Sequence, residues 1–225
     1  LLALCVYGFA SAWWSATQVN GIGDEGYYMG VSQEYWRTFD AYLHVDHPPF
    51  SMALGGIFHG LTGANDLMSF RLPHLILYGT TIFGASVLAW VVGGPASGLL
   101  LAAFLSLDPY LKAIAGFHVT DADVSELLLL AAVLAWGALT RRSLKWLGFA
   151  GFFLGLALSA KVTTLFYFPF LAFACFPAFR GKRVWAASVL ALTLLLGLSA
   201  GFGFQVRDFG ALSAIYRFAM VHNSI

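Results

Sequence analysis

The sequence predicts an all-α, multi-pass transmembrane helix bundle of about seven spans, with amphipathic surface helices in its first outer loop, and three observations lead there. Of 225 residues, 60% are hydrophobic and only 10% carry a charge, whereas a water-soluble domain carries about 25% charged residues. So few charges cannot cover a water-facing surface, and the strongly positive mean hydropathy of +0.78 agrees. The apolar residues also fall into runs of the length a bilayer demands, since about 20 residues rising 1.5 Å each cross a hydrocarbon core of about 30 Å.

Those runs place spans at about 1–17, 69–91, 95–110, 121–140, 146–160, 162–179 and 184–205. The runs at 95–110 and 146–160 are short, which calls for tilt inside the bundle or extension by a polar flank. The two cysteines, Cys5 and Cys175, sit inside apolar runs and read as buried thiols rather than a disulfide. The whole chain, 1–225, reads as the N-terminal portion of one transmembrane domain. It starts at Leu1 within an apolar run and stops at Ile225 in a polar stretch, so further sequence is expected at both ends.

Orientation follows from the basic residues, because cytoplasmic loops are enriched in Lys and Arg. Arg141, Arg142 and Lys145 form one cluster and Arg180, Lys182 and Arg183 another. Both are expected in the cytoplasm, which puts 18–68, 111–120, the turn at Lys161 and 206–225 outside, in a multi-pass protein of the cell membrane. The outer loop 18–68 is long and aromatic, with Tyr27, Tyr28, Tyr35, Trp36 and Phe39 at helical spacing, so it predicts an interfacial helix over 26–39. A second is expected from about Pro48 to Leu61, where prolines suit a first helical turn.

Charges near lipid are functional, paired or at the aqueous interface, and the outer side holds most of the acidic residues. Asp24 and Glu25 are adjacent carboxylates just past the first span. Held near low dielectric, such a pair raises its own proton affinity and can supply a general base; the ordinary alternative is a helix N-cap at Asp24. His44, Asp46 and His47, before Pro48-Pro49-Phe50, can meet a divalent metal or a phosphate, or can simply form a hydrogen-bonded turn. In the segment from His118 to Asp123, Thr120 or Asp121 suits an N-cap and the aspartates suit the helix dipole. Glu126, one turn deeper, is expected to pair with Lys112 or Lys161. Lys161 and Arg71 each admit two readings, a snorkelling side chain or a ligand of an anionic head group.

Taken in order, the acidic pair Asp24-Glu25 with Tyr27-Tyr28, then Asp46-His47-Pro48-Pro49-Phe50, then Thr120-Asp121-Ala122 and Lys161, the chain resembles the N-terminal half of the GT-C glycosyltransferases. The resemblance is to their dolichyl-phosphate-mannose protein mannosyltransferase and aminoarabinose transferase branch, over roughly 1–205. It implies an inverting transfer of a sugar from a polyprenyl-phosphate donor to a protein, lipid or glycan acceptor on the outer face, within membrane lipid and with no nucleic acid. Asp24 would be the general base, with Glu25 beside it, and Asp121 would orient acceptor or sugar. His47, Arg71, His118 and Lys161 would serve the lipid phosphate or the substrate. No cofactor follows with certainty; a divalent metal on Asp46 is the candidate. His47 stands where a metal-linked branch often has lysine, and the chain has fewer spans than family members, so activity is expected of the complete protein. The rival readings are a secondary transporter and a non-catalytic membrane subunit; charges gathered at one surface and the lack of repeated halves weigh against transport.

Overall fold

Apolar runs with few backbone alternatives in lipid become helices, and the computed structural model consists of helices joined by short links. It describes residues 1–20, 25–40, 49–115, 117–118, 120–203 and 213, apart from the side chains of 162, 170 and 173–176. The elements are α1 (Leu2–Gln18), α2 (Glu25–Thr38), α3 (Phe50–Thr62), α4 (Leu67–Gly93), α5 (Pro95–Leu107), α6 (Pro109–Ala115), α7 (Thr120–Arg141), α8 (Leu144–Leu158), α9 (Tyr167–Cys175) and α10 (Arg183–Gly201), with 3-10 turns at Val162–Phe166 and Phe176–Phe179. No strand occurs among the described residues.

Among the described residues three helices, α4, α7 and α10, are long and apolar enough to cross a bilayer, and α5 with α6 makes a fourth if that pair, bent by 65°, is one span. The other expected spans are shorter: α1 has 17 residues and α8 has 15, and 162–179 is divided into a 3-10 turn, α9 and a second 3-10 turn. The bend at Asp108 follows from the Asp108-Pro109 junction, because the residue before a proline is driven from helical into extended backbone. Chain ends of the other helices are equally local. Asp66 Oδ1 accepts from the Ser69 N–H to cap α4, and Gly63 ends α3 at a φ of 69°, a conformation that glycine adopts without strain.

Close approach between helices fixes their directions. A Cβ on Gly148 would meet Val189 and Thr193, one on Gly155 would meet Leu194, and one on Gly201 would meet Ser159, so α8 and α10 run parallel. In the same way α4 and α7 run parallel, with His74 beside Asp123 at one end and Arg141 donating to the Val91 carbonyl at the other. The consequence is a two-ended molecule. Arg141, Lys145 and Arg183 share one end, whereas Arg71, His74, Asp121, Asp123 and Lys161 share the opposite end.

At that second end α2 and α3 lie against one another and on α4. Gly56 and Gly60 allow this, since a Cβ on either would strike the Ser32 carbonyl or the Trp36 ring. α2 and α3 occupy the two stretches expected to form surface helices, and Tyr28, Val31, Tyr35 and Met52 are buried between them and the bundle.

Candidate functional site

The site begins with α4, whose inward stripe is polar at one end only. Phe70, Arg71, His74 and Tyr78 recur at helical spacing and are all buried, followed deeper by Ile82, Ala85 and Ala89. Arg71, 1% exposed, would be a costly buried charge without partners. It donates from Nε and Nη2 to the two carboxylate oxygens of Glu25 at 2.9 and 2.6 Å, and from Nη1 to the carbonyls of Ala16 and Val19 at 2.5 and 2.7 Å. Its guanidinium also lies 5.0 Å from the centre of the Phe117 ring. Of the expected first-loop pair, Glu25 is fully buried in a forked ion pair, and Asp24 lies outside the described residues.

Glu25 Oε1 takes a further hydrogen bond from the His118 main-chain N–H at 2.8 Å. His118 sits between α6 and α7, and its ring joins two other elements. Nε2 lies 3.0 Å from the Ser32 hydroxyl on α2, and Nδ1 lies 2.5 Å from His74 Nε2 on α4. The other nitrogen of His74, Nδ1, lies 2.7 Å from Asp123 Oδ1 on α7. Burial first, and then the neighbouring His74 ring, push the His118 imidazole well below its ordinary value. Both rings and both carboxyl groups of this chain are fully buried, so neither Arg71 nor His118 presents a free face to solvent; both act inside the protein.

Asp121 points the other way. It is more than half exposed and accepts a hydrogen bond from Lys161 Nζ at 2.5 Å. Below this pair a groove of about 600 Å³ opens along α7, α8 and α9, lined by Ser125, Leu128, Ala132, Trp136, Tyr167 and Leu171 among others. Phe50, the last residue of the second sequence motif, lies near the same place, because its N–H donates to the Ser159 carbonyl at 3.0 Å, two residues before Lys161. His44, Asp46 and His47 lie outside the described residues. Among the described residues no three His, Cys, Asp or Glu side chains gather as metal ligands.

One expected pairing is corrected. Glu126 meets neither Lys112 nor Lys161: Lys161 is engaged by Asp121, and Lys112 lies over the Tyr7 ring at 5.5 Å. The physical reason is helix phase, since Glu126 falls on the inward stripe of α7 with Asp123 and Leu130. It borders a cavity of about 210 Å³ with Tyr78 and Thr81. Sequence reasoning also missed the joint role of Ser32, His74 and Asp123. The available signal was that His74 is three residues after Arg71 and Glu126 three after Asp123, which puts polar groups on the same stripes as the core.

Residues 46–202 match the sequence model of a family described as dolichyl-phosphate-mannose-protein mannosyltransferase. The matched region begins at Asp46 and so covers Arg71, His74, His118, Asp121, Asp123 and Lys161, while Asp24 and Glu25 precede it. No curated protein sequence matches the chain.

Proposed function

Because the chain belongs to the dolichyl-phosphate-mannose-protein mannosyltransferase family of membrane-integral glycosyltransferases, we propose that the complete protein moves a sugar from a polyprenyl-phosphate donor to a hydroxyl-bearing protein, lipid or glycan acceptor, with Asp24 as general base. The observation that carries this reading is convergence on one carboxylate. Arg71 from α4 and the His118 amide both grip Glu25, the residue peptide-bonded to Asp24. A base must be held within hydrogen-bond reach of the proton it removes, and a neighbour fixed by several charge-assisted bonds at the start of α2 supplies that restraint.

The acceptor hydroxyl loses its proton to Asp24 as its oxygen attacks the anomeric carbon. The bond from that carbon to the phosphate oxygen breaks in the same step, so configuration inverts and the polyprenyl phosphate leaves with the electron pair. Lys161 is the cation for that phosphate, and His47, three positions before Phe50 in the sequence, is a second donor to it. The apolar groove under Lys161 takes the polyprenyl chain: from Ser125 to Leu139 it follows α7 for about 21 Å at 1.5 Å per residue. The mouth of the groove at Asp121 and Lys161 lies at the end opposite Arg141, Lys145, Arg180, Lys182 and Arg183, which supports an outward-facing site, since basic ends stay in the cytoplasm. The shorter elements α1, α8 and α9 complete a seven-span arrangement by tilting or by local thinning of the bilayer.

The test is transfer from labelled polyprenyl-phosphate sugars in membranes that contain the full-length protein. Asp24→Asn is expected to abolish label transfer while leaving membrane insertion intact. Transfer at the parental rate by that variant would remove Asp24 from the base role, and an inactive parent would remove the transferase reading.

A further inference from the structure

We propose that Asp123 and His74 are positioning residues for the acidic pair, acting through the His118 main chain on Glu25; this rests on the transferase reading above. The path is continuous and buried throughout. Asp123 on α7 meets His74 on α4 at 2.7 Å, His74 meets the His118 ring at 2.5 Å, and the His118 amide donates to Glu25 at 2.8 Å. A branch from the same ring reaches Ser32, two turns into α2, at 3.0 Å. Thus α2, which begins at Glu25, is referred to α7 at two points along its length.

His118 is the vulnerable member of the path. It belongs to none of the helices, so its amide lacks the helical ladder that orients other backbone donors, and its direction is set by what holds the ring. The ring is held on every side. His74 and Ser32 take its two nitrogens, Tyr28 meets it edge-on with centroids 6.2 Å apart, and Phe70 lies 5.9 Å away. Gly55 on α3 leaves the remaining space, since a Cβ there would come within 2.8 Å of the ring. Apolar side chains of similar volume would fill this region with less desolvation. A connected polar chain does what they cannot: it transmits orientation from a rigid span to one amide hydrogen.

Arg71 and the His118 amide divide the work on Glu25. The guanidinium neutralises the carboxylate and fixes its plane through two parallel bonds. The amide adds a third donor on Oε1 from a different direction, which limits sliding of the carboxylate along the fork. Loss of that restraint would leave Glu25 paired but free to swing, and Asp24 would move with it.

The experiment uses the full-length protein in lipid bilayers with two independent readouts. In NMR spectra the His118 amide proton, bonded to a carboxylate, resonates downfield. In Asp123→Ala it is expected to move upfield, and in Asp123→Asn, which keeps an oxygen for His74, to stay near its parental position. In transfer assays Asp123→Ala is expected to lose about a hundredfold in kcat, the size of effect a misplaced catalytic group produces, with unchanged KM for donor and acceptor, and Asp123→Asn is expected to recover most of it. Glu126→Gln, on the same stripe of α7, is the control that moves neither. If Asp123→Ala does not fold, His74→Gln carries the same comparison. A His118 amide that stays in place in a folded Asp123→Ala or His74→Gln protein overturns the proposal, as does an unchanged kcat. An inactive parent protein overturns the transferase reading instead, and the amide shift still reports on the path.

Discussion

Asp121 and Asp123 stand two residues apart in the first turn of α7 and lead opposite lives. Two residues of an α-helix subtend about 200°, so one faces the bundle and the other its rim. Asp123 is fully buried against His74, and Asp121, more than half exposed, meets Lys161. Chemically the two are identical and electrostatically both suit a helix N-terminus. The difference is helical phase alone, and it separates a cluster closed off from solvent from a rim pair that solvent reaches.

The comparison predicts a large penalty for disturbing the cluster. Arg71→Met removes the charge but keeps an apolar stem, and leaves Glu25 buried without its counter-charge. The expected loss is about 3–5 kcal/mol of stability, the range for breaking one side of a buried ion pair, read from denaturant or thermal unfolding in detergent. Arg71→Met with Glu25→Leu is expected to regain most of that loss, because neither charge then remains buried. An Arg71→Met protein as stable as its parent would show that the cluster is not closed, and the contrast with the rim would fail.

A smaller effect is expected from crowding the same cluster. Gly55→Ala brings a methyl group against the His118 ring, and overpacking of this kind costs about 1–3 kcal/mol. Acid acts on the same group. Because His118 is held well below its ordinary value by burial, the unfolded chain binds a proton there that the folded chain does not. Its contribution is complete above the unfolded value of about 6.5 and is lost as pH falls below it. Glu25 and Asp123 are the carboxylates that face this residue and its partner His74. Unfolding followed between pH 8 and pH 5 is therefore expected to weaken toward acid, and a Gly55→Ala protein to weaken at the higher pH.

Sequence alone made the helical class and the polar asymmetry of the two ends legible, because both follow from composition and from charge position. The α2 and α3 helices were legible too, through the aromatic spacing of Tyr28, Tyr35 and Phe39 and through the prolines before Phe50. Element lengths were less so: the 162–179 run is apolar apart from Thr163 and Thr164, and apolarity does not register the 3-10 turns that divide it. Within the site, Glu25, Arg71 and His118 stood out as polar residues in the wrong company, yet their partners could not be read. Arg71 and Glu25 are 46 positions apart, and His118 and Ser32 are 86 apart. Glu126 shows the converse, since nearness in sequence to cations predicted a pair that helix phase forbids.

The smallest stability effect and the most selective functional one fall together at the rim. Lys161, itself mostly buried, is tied by a single pair to Asp121, which is more than half exposed, and a pair that solvent reaches contributes about 0–1 kcal/mol because solvent screens it and its ordering costs entropy. Lys161→Ala is therefore expected to unfold within about 1 kcal/mol of the parent. A phosphate that enters the groove below Asp121 competes for the same ammonium, and a hydrogen bond between charged partners is worth about 1.5–3 kcal/mol, so the KM for the polyprenyl-phosphate donor is expected to rise about tenfold or more while the KM for the acceptor stays put. Asp121→Asn releases Lys161 from its carboxylate and is expected to move donor KM the opposite way or not at all. If Lys161→Ala weakens donor and acceptor alike, the lysine serves the fold of the rim rather than the phosphate, and the division between a buried cluster that positions and a rim that binds no longer holds.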